Sequence, residues 1–147
     1  MPSYLLRSPS PPDPSRYLST DSGQDHKPEF LDRCTALFQR LHDGDEQVST
    51  VEAVVAEVVY VLASPKLYRL TGSEIAERLK PLLLLRGLQL PHKQTTCEAL
   101  DLYAAHQGLD FADALEIAHM QRLGIAEIYS YDQHFDRFKG QVRRIEP

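Results

Sequence analysis

Apolar positions along the chain recur with helical spacing, broken by short apolar runs that suit strands. From Pro28 onward, Phe30, Leu31, Cys34, Leu37, Phe38 and Leu41 fall at i, i+1, i+4, i+7, i+8 and i+11. With Pro28 near the first turn and Gly44 beyond the end, this stripe predicts a helix. Residues 47–49 predict a short strand, and Thr50 an N-cap for a Val, Ala and Glu run that reaches Leu62 before Ser64-Pro65 stops it. The many valines there suit a strand by propensity, but the length of the run and its glutamates Glu52 and Glu57 favour a buried helix. Further helices are expected over 71–85, with Ser73 a second N-cap candidate and Pro81 a kink or break, over 95–106 up to Gly108, and over 111–123 up to Gly124. Brief strands are expected over 88–90, 125–130 and 142–145.

Helices alternating with strands of this length predict an α/β fold with a parallel sheet covered on both faces, its ligands beyond the carboxyl ends of the strands. Residues 3–6 read as a short apolar β-start. Residues 7–15, RSPSPPDPS, hold four prolines and can neither continue a ladder nor enter a helix, so they read as loop. Residues 1–27 therefore form an atypical Pro/Ser-rich segment with a first strand, and residues 28–147 the body of a single domain.

Composition narrows the classes. A chain of 147 residues buries roughly 68–70% of its unfolded surface, enough for a core without disulfides or structural metal. The longest apolar run, residues 82–85, is far short of the ~20 residues needed to span a bilayer, which predicts no membrane segment. No basic region followed by an apolar one opens the chain, and Cys34 and Cys97 lack CxxC spacing, so a reducing cytoplasm is expected. The net charge of −5 argues against holding nucleic acid by bulk positive charge and leaves contact through a bound cation.

No GxxxxGK[ST], GxGxxG or HExxH occurs, and no nucleophile elbow surrounds any serine. Acids in apolar surroundings stand out instead: Glu57 between Ala56 and Val58, Asp113 between Ala112 and Ala114, and Asp132 just past the strand ending in Ser130. An unpaired carboxylate taken out of water neutralises, pairs or binds metal, and neither Glu57 nor Asp113 has a Lys or Arg at i±3 or i±4. Two such charges ~4 Å apart repel by about 4 kcal/mol at an effective dielectric near 20, a penalty that a divalent cation removes. Mg²⁺ held by carboxylates makes water acidic enough to attack a phosphodiester. The competing reading of isolated acids at helix starts is capping or pairing with the helix dipole.

Three blocks, Val54-Val55-Ala56-Glu57-Val58-Val59-Tyr60-Val61-Leu62, Asp110-Phe111-Ala112-Asp113-Ala114-Leu115 and Ile128-Tyr129-Ser130-Tyr131-Asp132-Gln133-His134-Phe135, resemble in order the motifs of the PIN-domain family, particularly the VapC-type toxins of bacterial toxin–antitoxin pairs. The resemblance runs over residues 16–145. It implies a three-layer α/β/α sandwich with a short-stranded parallel sheet, endoribonuclease activity dependent on Mg²⁺ or Mn²⁺ against single-stranded RNA, and inhibition by a cognate antitoxin. Glu57, Asp113 and Asp132 match the family's metal-holding acids, with Asp110 either a companion ligand or an N-cap, and Ser130 a hydroxyl that orients a carboxylate or a water.

The N-terminus departs from the family. Tyr4-Leu5-Leu6 resembles its first strand, but Arg7 stands where the family has an Asp, and a guanidinium cannot ligate Mg²⁺. Asp13, in Pro12-Asp13-Pro14, is a candidate substitute, although the segment favours a surface turn. Two further readings follow: a catalytically impaired PIN fold that acts by binding antitoxin or RNA, and a helical interaction module unrelated to PIN. The remaining residues read blandly. The histidines suggest solvent or helix-end roles, Tyr129 and Phe135 core packing more than base stacking, and Lys139, Arg143 and Arg144 either a phosphate contact or a solvated face. The apolar faces over 28–43 and 71–85 suggest a homodimer contact.

Overall fold

The computed structural model describes residues 6–7, 28–138 and 140–147. Among the described residues five helices and five short strands follow one another: β1 (Leu6–Arg7), α1 (Pro28–Asp43), β2 (Val48–Ser49), α2 (Glu52–Ala63), α3 (Gly72–Leu83), β3 (Leu88–Gln89), α4 (Lys93–Ala105), α5 (Phe111–Leu123), β4 (Glu127–Tyr129), a 3₁₀ turn (Gln133–Phe138) and β5 (Arg143–Ile145). The expected segment 1–27 and candidate Asp13 lie outside the described residues, apart from Leu6 and Arg7, as does Lys139.

The result is a helix-rich α/β fold with short parallel strand pairs, consistent with a three-layer α/β/α arrangement. Two points differ from one continuous parallel sheet. The strands form two sheets, β1-β2-β3 and β4-β5, and β1 runs antiparallel to β2, Leu6 opposite Ser49 and Arg7 opposite Val48. The pairs β2/β3 and β4/β5 are parallel as expected. Ladders of two or three residues carry too little side-chain pattern to specify direction, which the path of the preceding chain decides. Arg7, read as the first loop residue, instead belongs to β1.

Helix ends show where local rules held. α1 and α5 begin and end where their stripes and glycines place them, and Gly124 closes α5 at φ 68°, a conformation that L side chains rarely adopt. Thr50 does not cap α2: its backbone N–H joins the β2/β3 ladder by donating to the Gln89 carbonyl (2.9 Å), so Val51 takes the N-cap position with no side-chain bond. α4 starts two residues early, at Lys93, because Thr95 and Thr96 are buried rather than capping. α3 runs through Pro81 to Leu83, and Thr71, not Ser73, caps it.

The core is built on the inward faces of these helices, with Leu41, Ile75, Leu100 and Ile117 fully buried. α4 packs against both α3 and α5. Glu52, opening α2, ties three helices together: it accepts from the Thr96 hydroxyl (3.2 Å) and pairs with His119 Nε2 (2.8 Å). His119 is thus a half-buried tie rather than a solvent-facing imidazole, a role set wholly by tertiary contact. A close backbone approach fixes Gly87, where an added Cβ would sit 2.1 Å from the Glu46 carbonyl oxygen. Among the described residues no helix is long and apolar enough to cross a membrane.

At α3 the cap is reciprocal. The Thr71 hydroxyl accepts from Glu74 N–H (3.3 Å), and the Glu74 carboxylate accepts from Thr71 N–H (2.8 Å). These bonds, led by the backbone one, hold Glu74 below the usual carboxylate range. Thr71→Ala is expected to lower unfolding free energy by about 1 kcal/mol. Because Glu74 is more acidic folded than unfolded, its contribution is present above the unfolded value and lost as pH falls through the folded one, so Glu74→Gln should destabilise at neutral pH and converge on wild type in acid. Urea titrations at a series of pH values test both.

Candidate metal centre

Asp113 occupies the first turn of α5, half-buried, where the helix N-terminus favours its charge. Asp132 follows β4 in an exposed turn whose geometry is local. Its backbone N–H donates to Ser130 Oγ (3.0 Å), and its Oδ1 accepts the His134 N–H (2.8 Å) and faces His134 Nδ1 (2.9 Å). Gly124 turns the chain out of α5 so that β4 returns alongside, and the fold brings Asp113, Asp132 and His134 together, one ligand atom of each within 4.8 Å of the others.

The electrostatics of the pair are unequal. Burial raises the Asp113 pKa above its ordinary value, with the charges of Asp132 and Asp110 adding to it and His134 opposing. Asp132 is lowered, first by the His134 backbone N–H and then by the His134 side chain and the Arg144 charge. Among the described residues neither carboxylate has a lysine or arginine ion pair. Arg144 is engaged by Asp136 (3.2 Å) and Glu146 (2.9 Å), and Arg143 by Glu127 (2.6 Å). The two arginines read as a phosphate patch are therefore occupied by acids of their own.

The donor set, two carboxylates and one imidazole with no lysine or arginine paired to them among the described residues, fits a divalent ion; the oxygens suit Mg²⁺ and the added nitrogen suits Mn²⁺. Glu57 does not join this group. The helical period turns Val55 and Val59 into the core and leaves Glu57 on the exposed side of α2, so the expectation that it sits in apolar surroundings is corrected. Asp110 serves as the N-cap of α5, its Oδ1 accepting from Ala112 N–H (3.0 Å), and Ser130 Oγ accepts the backbone N–H of Asp132. Sequence reasoning missed His134. The signal available was the turn itself: an aspartate just past a strand whose side chain folds back on the residue two ahead. Tyr129, expected in the core, is 72% exposed, whereas Phe135 and Phe138 are buried.

A family model described as PIN domain matches residues 29–141, well over half of the chain. The chain belongs to the PIN-domain family. No curated protein and no solved structure matches it. PIN domains are generally nucleases that use divalent metals, and membership removes the reading of an unrelated helical module.

Because Asp113 is less acidic folded than unfolded, its ionised form works against folding as pH rises through the carboxylate range. In EDTA at neutral pH, Asp113→Asn is expected to raise the Tm, and the gain should vanish below the unfolded carboxylate pKa. Calorimetry across pH measures it; a variant less stable than wild type at neutral pH would contradict the assigned environment of Asp113.

Proposed function

We propose that this chain is a metal-dependent endoribonuclease of the VapC toxin type that cuts single-stranded RNA. The observation that carries this reading is the convergence of Asp113 and Asp132, two carboxylates from separate elements, with no lysine or arginine pairing them among the described residues. Such a pair is costly until a cation is shared. Asp113 and Asp132 would hold Mg²⁺ or Mn²⁺, which when bound supplies an acidified water and offsets charge on the scissile phosphate. Ser130 Oγ accepts the Asp132 backbone N–H, the His134 N–H donates to the Asp132 carboxylate, and the His134 ring either donates to that carboxylate or offers a nitrogen as third ligand. Glu57, outside the group, is assigned no metal contact in this arrangement.

The toxin part of the reading adds a cognate antitoxin, a homodimer and a cytoplasmic setting. Support for a protein partner lies on α1, where Leu31 is 69% exposed while Leu41 of the same helix is buried.

A second reading, a PIN fold that binds antitoxin or RNA without cutting, is favoured by one observation: β1 carries Arg7, which cannot ligate a metal, where the family's first acid resides. Incubation of purified chain with single-stranded RNA separates the two. Cleavage that needs Mg²⁺ or Mn²⁺, stops in EDTA and falls at least about 100-fold in Asp113→Asn, roughly 2.7 kcal/mol of transition-state stabilisation, is expected of the nuclease. Binding without turnover, unchanged in Asp113→Asn, selects the second.

A further inference from the structure

A cleft of about 800 Å³ opens between α2 and the turn joining α4 to α5, within the size range of small-ligand pockets. Its α2 wall is Ala56, Val59, Tyr60 and Ala63, the first of these next to Glu57 in sequence. Across it, Asp110, Phe111 and Ala112 lead directly into Asp113. The lining thus ends one residue before Asp113.

Its chemistry is selective. Phe111 is buried and meets Tyr103 edge to face, ring centroids 5.8 Å apart at 83°, which makes an aromatic floor. Tyr60 stands at the mouth with 78% of its surface exposed. Among the described residues no lysine or arginine lines the cleft, and its acid and imidazole are those of Asp110 and His106. An anionic group is therefore disfavoured inside, while a flat, neutral, hydrogen-bonding aromatic group is favoured. Polar side chains for such a group come from two places, Gln107 in the turn and Ser73 in the first turn of α3.

We propose that this cleft is a nucleobase subsite, in which Tyr60 stacks on the base of the nucleotide beside the scissile phosphate while the phosphate itself stays outside, at Asp113 and Asp132. The assignment deepens the nuclease reading and rests on it. Stacking of this kind requires an unpaired base, so single strands enter and intact duplex does not. It also divides the labour: the cleft, which no lysine or arginine lines among the described residues, takes the base, and the acidic pair takes the sugar–phosphate backbone through a cation.

The test uses the full chain with Ca²⁺ in place of Mg²⁺, a cation that can hold phosphate but acidifies its water less, so that binding is read ahead of cleavage, and a single-stranded RNA hexanucleotide carrying 2-aminopurine at each position in turn. Wild type is expected to quench the probe at one preferred position. Tyr60→Ala should lose that quenching and bind about 5- to 150-fold more weakly, and Tyr60→Trp should retain both. An oligonucleotide abasic at the preferred position should weaken wild type by the same factor and leave Tyr60→Ala unaffected. The high exposure of Tyr60 makes folding of these variants straightforward to verify by circular dichroism. The proposal is overturned if Tyr60→Ala binds like wild type, if the abasic strand binds as well as the intact one, or if wild type binds no oligonucleotide. Metal-dependent cleavage lost in Asp113→Asn is scored separately: a chain that cuts without dependence on Tyr60 keeps the nuclease reading and loses the subsite, and Tyr60-dependent binding without cutting does the reverse.

Discussion

Asp113 and Asp132 are brought within reach of each other although their charges repel, and the rest of the molecule supplies the force that keeps them there. The packing of α5 on α4, with Ala114, Ile117 and Ala118 fully buried, holds one carboxylate. A turn knotted by Ser130 and His134 holds the other. Apolar burial is non-directional and collectively large, whereas the repulsion of one half-buried pair is a local term of a few kcal/mol, so the core can carry it. A site assembled in this way is poised for a cation because the protein has left the pair without a lysine or arginine among the described residues.

The two carboxylates differ in what they meet. Asp132 lies exposed and accepts hydrogen bonds that favour its charged form; Asp113 is drawn into the α5 face, where burial disfavours it. Glu52 presents a useful contrast. It too is half-buried, yet it has the Thr96 hydroxyl and His119 as partners, and its contact links α2, α4 and α5. One acid is satisfied internally and serves the fold. The other, Asp113, lies half-buried beside the charge of Asp132.

Much of the helical framework was legible beforehand, for reasons that are local. α1 and α5 were readable end to end because an apolar stripe, a start signal (Pro28 for α1, Asp110 for α5) and a glycine after the end act within a few residues of one another. Thr50 misled because a threonine before a helical run is a good cap only when its backbone is free to leave the strand, and here it stays in the ladder with Gln89. Tyr129 misled for a related reason: alternation within a three-residue strand does not say which face the neighbouring elements will cover.

Of the candidate site, the chain alone determined which residue types were available and where helix and strand ends would put them: Asp110 and Asp113 at the start of α5, Ser130 and Asp132 beyond β4, and the three-block similarity to PIN domains that the family match over 29–141 supports. Tertiary structure decided which acids meet. It turned Glu57 outward, added His134, occupied Arg143 and Arg144 with acids of their own, and opened the cleft beside Tyr60. The reason is physical. Caps and stripes depend on neighbours within one or two turns, but the distance between two side chains on different elements depends on how whole faces pack, and that is a property of the assembled core.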